Sequence, residues 1–146
     1  MGVQPPHDLN IDTSDFRREF LARLTNPYIP PEELKRMLYD PIPRNVGVIQ
    51  CTIMRHKSGF NRLWPKYTMH LSEGDKFLLS AKKRAANKTS NYLISTDPEN
   101  LNKNSASYLG KLRSNFLGTE FYIYNEGSSS KKAHTDDEVR EQHGCI

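Results

Sequence analysis

Two short basic groups carry the clearest prospect of chemistry in this sequence. The segment Phe77 to Ser80 leads directly into Ala81, Lys82, Lys83 and Arg84, with Lys88 just beyond. Lys111 and Arg113 flank a single leucine, Leu112. In an extended chain, side chains two positions apart project to the same face, so Lys111 and Arg113 point together while Leu112 points away. Lysine brings a compact positive charge, and arginine a planar fork that can grip phosphate oxygens in pairs. Two such groups facing one another would make a pocket for a polyanion. The competing role for the same residues is an ordinary charged strand edge that discourages sheet-to-sheet association.

Other chemistries find less support. Five histidines (His7, His56, His70, His134, His143) and two cysteines (Cys51, Cys145) fall in none of the spacings that build a zinc site. There is no Gly-x-Ser-x-Gly nucleophile elbow and no glycine-rich phosphate loop ending in Lys-Ser or Lys-Thr. The acidic pair Asp136 and Asp137 lies in a polar stretch where solvation is the default role. The expectation is a protein with no enzyme activity, no metal and no cofactor.

The elements that would position the basic groups can be read from periodicity. Phe16, Phe20, Leu21 and Leu24 recur at helical spacing behind Ser14, a candidate N-cap, and Asn26-Pro27 ends the run. A second short helix is expected from Pro30-Pro31, carrying Leu34, Met37 and Leu38 and stopping before Asp40-Pro41. From Val46 to Met54 the chain alternates as a strand does. Further strands are expected at Lys66–Leu71, Lys76–Ser80, Asn91–Thr96 and Phe121–Tyr124, with Tyr108–Ser114 extended as well. Close spacing and polar turns, such as Ser72 to Asp75, point to an antiparallel meander, because parallel crossovers would need helical inserts.

Three segments follow. Residues 1–39 form a polar lead-in with two short helices; residues 40–125 hold the β structure; residues 126–146 read as a flexible loop followed by the start of another strand. The net charge of +4 is unevenly spread, since residues 40–125 contain 13 of the 21 basic side chains but only 6 of the 17 acidic ones. That excess points to an anionic partner, either phospholipid head groups or nucleic acid. No run is apolar and long enough for a transmembrane segment, no secretory signal is visible, and two cysteines suit a reducing compartment. A cytoplasmic protein without a covalent lipid anchor is expected.

Lys88 to Ser95, Asp97-Pro98, the stretch Ser107 to Thr119 and Phe121 to Tyr124 together strongly resemble the tubby family. The earlier order of Ile49 to Arg55, Gly59, Pro65, Tyr67 and His70-Leu71 does so too. The resemblance implies mainly β structure: part of a closed barrel of twelve antiparallel strands around a central helix. That helix comes at the far C-terminal end of a domain longer than this chain, so the N-terminal half of the domain is expected here. It further implies a membrane-tethered adaptor that binds phosphatidylinositol 4,5-bisphosphate at the plasma membrane, linked in animals to receptor delivery into cilia. By the same resemblance Lys83 and Arg113 match the family's head-group residues. A second basic residue usually stands two positions after that lysine; here it is Ala85, with Arg84 before it, so Arg84 joins the candidate site. Lys82, Lys88 and Lys111 are supporting charges. A protein partner or cargo is compatible with this reading. A nucleic-acid-binding regulator, active in the nucleus, is the alternative use of the same surface. Tyr92, Tyr108 and Phe116, in strand or turn contexts, suggest packing rather than base stacking.

Overall fold

The computed structural model describes residues 13–129 and 139–145. The expected lead-in up to residue 12 and positions 130–138 of the expected loop lie outside them.

Helix α1 spans Thr13–Thr25 and helix α2 Pro31–Tyr39. The first begins one residue before Ser14, which therefore sits in the opening turn rather than at the cap. Leu21 and Leu24 are buried as the spacing requires, whereas Phe16, on the same stripe, is 41% exposed. Pro31 opens α2 where a missing N–H costs nothing. Leu34, Met37 and Leu38 then turn toward the core. Arg23 binds Glu33 at 2.6 Å and ties the two helices together.

Seven strands follow among the described residues: β1 Cys51–His56, β2 Lys66–Leu71, β3 Lys76–Lys83, β4 Asn91–Ser95, β5 Tyr108–Ser114, β6 Phe121–Asn125 and β7 Gln142–Cys145. They form one sheet in chain order, each antiparallel to the next, which is the meander that the turn spacing predicts. The first strand starts later than alternation suggests. Arg44–Val46 form a 3-10 turn and Gly47 takes φ 75°, a left-handed conformation that suits glycine. Arg17 explains the delay, because its guanidinium donates to the carbonyls of Val46 at 3.1 Å and Val48 at 2.7 Å. Those acceptors are thereby withdrawn from any ladder. The third strand runs three residues further than expected, through Ala81 to Lys83, because it has partners on both sides.

The core lies where the helices meet the β2–β3 hairpin: Leu21, Leu24, Leu71 and Leu78 are buried together, with Phe20, Leu34, Met37, Leu38, Ile49 and Met69 packed around them. A bulge between Met69 and His70 shifts the β2–β3 register at this point. Further along the same face, Leu38 and Tyr39 of α2 line a recess of about 270 Å³ together with Leu79, Ile94, Gly110 and Ile123. The Tyr39 hydroxyl donates to the carbonyl of Leu109 and anchors α2 to the sheet. Burial, followed by the nearby Glu126 carboxylate, pushes this phenol up to about 12.

Gly110 permits the close approach of β5 and β6. A Cβ there would fall on the carbonyl oxygen of Tyr124, with the Cα of Asn125 only 3.1 Å away. The obstacle is backbone on both counts, so no side chain can swing aside. Gly110→Ala is therefore expected to destabilise the fold by about 2 kcal/mol or more, read as a lowered urea midpoint with no change in slope.

Candidate functional site

The face of the sheet opposite the helices carries the basic residues. Pairing sets Lys82 beside Leu93 and Leu93 beside Lys111, so these three form one row across β3, β4 and β5. In the neighbouring row Asn91 pairs with Arg113, and the Arg84 N–H donates to the Asn91 carbonyl at 2.9 Å. Lys82, Arg84, Lys111 and Arg113 thus share one face. The two groups lie on strands separated by β4 alone, about 9–10 Å apart.

Lys83 is not brought into this group. The register pairs it with Tyr92, which in turn pairs with Leu112, placing all three on the helix side of the sheet. Lys88 sits beyond the end of β3, in the connection to β4, and does not line the cleft. The strand-edge role loses its basis as well, because β3 and β5 are each paired on both sides and have no edge to protect.

The cleft itself, about 620 Å³, is lined by Arg84, Asn91, Lys103, Lys111, Arg113 and Arg140, with Tyr108 and residues 126–129 completing the wall. A second recess of about 670 Å³ continues from it past Arg84 and Lys103 to Lys82 and Lys66. The loop between β4 and β5 forms the shared rim. Two serines of the sheet hold it down: Ser80 Oγ donates to the Asp97 carbonyl at 2.9 Å, and Ser95 Oγ to the Asn100 carbonyl at 2.8 Å. Both serines are fully buried, so the loop backbone rests on the sheet with no larger side chain between. Asp97 closes the loop by accepting the N–H groups of Glu99 and Asn100, which hold its carboxyl below the usual range. Lys103 is carried on this loop.

The charge balance of the cleft is unusual. Among the described residues, five cationic side chains line it against one carboxylate, Glu126, which is engaged by Lys35 at 2.9 Å. Lys111 is only 5% exposed and forms no salt bridge among the described residues. Burial lowers its ammonium to about 8, and Arg140, Lys103, Arg113 and Arg84 push in the same direction. Alongside it, Arg113 Nε and Asn91 Oδ1 are buried without hydrogen-bond partners among the described residues. Unpaired buried donors are rare in folded proteins because each costs about 1–3 kcal/mol. Here an unsatisfied guanidinium nitrogen and an uncompensated ammonium sit side by side in an open cleft.

Three lining residues escape a reading of the sequence alone. Asn91 lies inside the stretch Lys88 to Ser95 but has no charge to draw notice. Lys103 and Arg140 belong to connections whose course only the fold reveals; Arg140 is held by stacking over Tyr124, with its Cζ 4.7 Å from the ring centroid, and by its N–H bond to the Ser128 carbonyl at 2.9 Å. One aromatic expectation fails. Tyr92 is half-buried against Tyr67 and Tyr108 is buried, but Phe116 is 85% exposed.

The described residues therefore form a seven-stranded antiparallel sheet with helices on one face and a cation-lined cleft on the other. The Tub family model matches residues 38–144, and the protein belongs to this family. Tubby-related protein 3 of Mus musculus is 44% identical over 119 residues, covering 74% of this chain and 26% of its own length. Tubby protein homolog 1 of Caenorhabditis briggsae is 44% identical over 104 residues, or 66% of this chain and 24% of its own. Protein king tubby of Drosophila sechellia is 40% identical over 132 residues, 88% of this chain and 30% of its own. The chain spans about a quarter to a third of the length of these relatives. No helix among the described residues is long and apolar enough to cross a membrane.

Proposed function

We propose that the cleft takes the phosphorylated inositol head group of a phosphoinositide, with phosphatidylinositol 4,5-bisphosphate as the first choice, and that the protein is a non-enzymatic adaptor tethered peripherally at the cytoplasmic face of the plasma membrane. The observation that carries this is the pair formed by Lys111 and Arg113: two cations held in the sheet with no carboxylate partner among the described residues, one with an unused buried N–H. A folded chain that keeps such groups gains from them when an anion arrives.

Arg113 and Arg84 supply forked donors from opposite sides of β4, Lys111 supplies charge from the floor, and Lys103 and Arg140 close the cleft from its two flanking connections. Membership of the Tub family supports the reading, as does the resemblance that matches Arg113 to a head-group residue. Tethering of cargo for receptor or ciliary delivery is the role this binding would serve. Nucleic acid fits the site less well, because the aromatic rings nearest the cleft are engaged: Tyr108 is buried and Tyr124 is covered by Arg140.

Co-sedimentation with vesicles containing about 5% phosphatidylinositol 4,5-bisphosphate, at two salt concentrations, tests the proposal. Each basic group near an anionic surface is worth about 1 kcal/mol, so capture should require the lipid and weaken as salt rises. Equal capture by neutral vesicles, or none by any vesicle, would remove the reading.

A further inference from the structure

In an up-and-down meander the connections after odd-numbered strands all emerge at one end of the sheet. Here these are residues 57–65, 84–90 and 115–120. They differ sharply from the connections at the other end. The three odd connections carry Lys57, Arg62, Arg84 and Lys88 against the single acid Glu120. The opposite end carries Glu73, Asp75, Asp97, Glu99, Glu126 and Glu141 against Lys103 and Arg140 among the described residues.

The basic end also bears the most exposed apolar side chains of the sheet's connections. Phe116 and Leu117 are 85% and 80% exposed, and Phe60 and Leu63 are 79% and 70% exposed. Phe116 and Leu117 occupy the two tip positions of the β5–β6 turn, where Asn, Asp, Gly or Pro normally stand. This turn is firmly built. Asn115 Oδ1 accepts the N–H groups of Thr119 at 2.9 Å and Glu120 at 3.3 Å, its amide donates to Thr119 Oγ1 at 2.8 Å, and Gly118 takes φ 73°. The tip is thus held outward. Across the sheet, Phe60 stacks with Trp64 at 6.3 Å in the β1–β2 connection. The basic β3–β4 turn lies between the two apolar tips.

We propose that this end of the sheet is a membrane-inserting edge, in which Phe116 and Leu117, together with Phe60 and Leu63, enter the interfacial layer of an anionic bilayer while Lys57, Arg62, Arg84 and Lys88 meet its head groups. The inference rests on the phosphoinositide reading above and adds a second, apolar contact to it. Apolar tips flanked by cations match the two layers of a lipid surface in order, and the acidic end faces away from it. Each aromatic or leucine side chain removed from water adds affinity that a soluble head group cannot report.

Trp64 is the sole tryptophan and sits within the edge, so it reports insertion directly. Vesicles of phosphatidylcholine with 5% phosphatidylinositol 4,5-bisphosphate and brominated acyl chains should quench its fluorescence. Phe116→Ala/Leu117→Ala and Phe60→Ala/Leu63→Ala should each weaken vesicle binding about tenfold. Binding of soluble inositol 1,4,5-trisphosphate and the melting temperature should remain unchanged, since none of the four is buried. Unquenched Trp64, or vesicle binding by both variants equal to wild type, would overturn the insertion while leaving the cleft intact. Loss of both head-group and vesicle binding in the wild-type protein would overturn the two proposals together. If the variants instead convert a self-associated protein to monomer in sedimentation, the edge is an interface between copies, and insertion is refuted.

Discussion

Replacing both arginines of the cleft, as Arg84→Gln/Arg113→Gln, should weaken binding of phosphatidylinositol 4,5-bisphosphate vesicles by about a hundredfold, whereas Lys83→Ala should change it by less than about twofold. A hydrogen bond to a charged group contributes about 1.5–3 kcal/mol, and two such losses amount to two decades or more in affinity. Arg113 bears the larger share, because its Nε–H is already buried and unpartnered, so little further desolvation is needed when phosphate arrives. Glutamine keeps a polar side chain in the sheet and limits the change to the lost fork and charge. The contrast with Lys83 is the informative part. Composition makes the three consecutive basic residues equivalent, but strand alternation assigns Lys82 and Arg84 to one face and Lys83 to the other. Vesicle co-sedimentation of the three proteins side by side reads the difference.

Lys111→Met should stabilise the protein and weaken binding at the same time. At pH 7 both the folded and the unfolded chain carry the Lys111 proton, and the full cost of burying that charge among four other cations is present. A methionine of similar volume removes this cost, an expected gain on the order of 2 kcal/mol in chemical denaturation. In the wild type the cost is relieved as pH rises from about 8, where the folded chain gives up the proton, toward the ordinary lysine value of 10.5, where the unfolded chain does. Wild-type stability should therefore rise with pH across that window through this group, and the Met variant should lack the rise. Head-group affinity should run the other way. A phosphate selects the charged ammonium, so wild-type affinity should fall above about pH 8, while the variant binds about tenfold more weakly at pH 7 and shows no such decline. A variant less stable than wild type at pH 7 would mean that the ammonium is compensated within the fold. The exchange of stability for binding is the expected mark of a functional site.

Much of this arrangement can be read from residue types. The helical stripe of Phe20, Leu21 and Leu24, the Pro-initiated second helix and the alternation in Lys66–Leu71 and Asn91–Ser95 all lead to the observed elements, because each segment's local preference agrees with its final packing. Val46 to Gln50 is the exception: alternation there mimics a strand, but a long-range contact from Arg17 claims the carbonyls of Val46 and Val48, and nothing local announces it. The site was legible in kind rather than in detail. Lys82, Arg84, Lys111 and Arg113 are visible as a basic excess, and the spacing of Lys111 and Arg113 already puts them together. Which residue of the Lys82 to Arg84 run joins them depends on how far β3 extends, which in turn depends on partners on both sides. Lys103 and Arg140 could not be foreseen, since each is placed by the course of a connection rather than by a periodic pattern.

On the proposed reading, a head-group phosphate accepts the unpartnered Arg113 Nε–H and an inositol ring hydroxyl donates to the unpartnered Asn91 Oδ1. Titration of the protein with soluble inositol 1,4,5-trisphosphate, followed through the Arg113 Nε–H and Asn91 side-chain amide resonances by nitrogen-15 NMR, tests it without any membrane. Both signals should move in saturable fashion, with the Arg113 Nε–H shifting downfield as it forms a charge-assisted bond. If these resonances stay fixed while a surface cluster elsewhere shifts, or if nothing shifts at all, the cleft is not the head-group site.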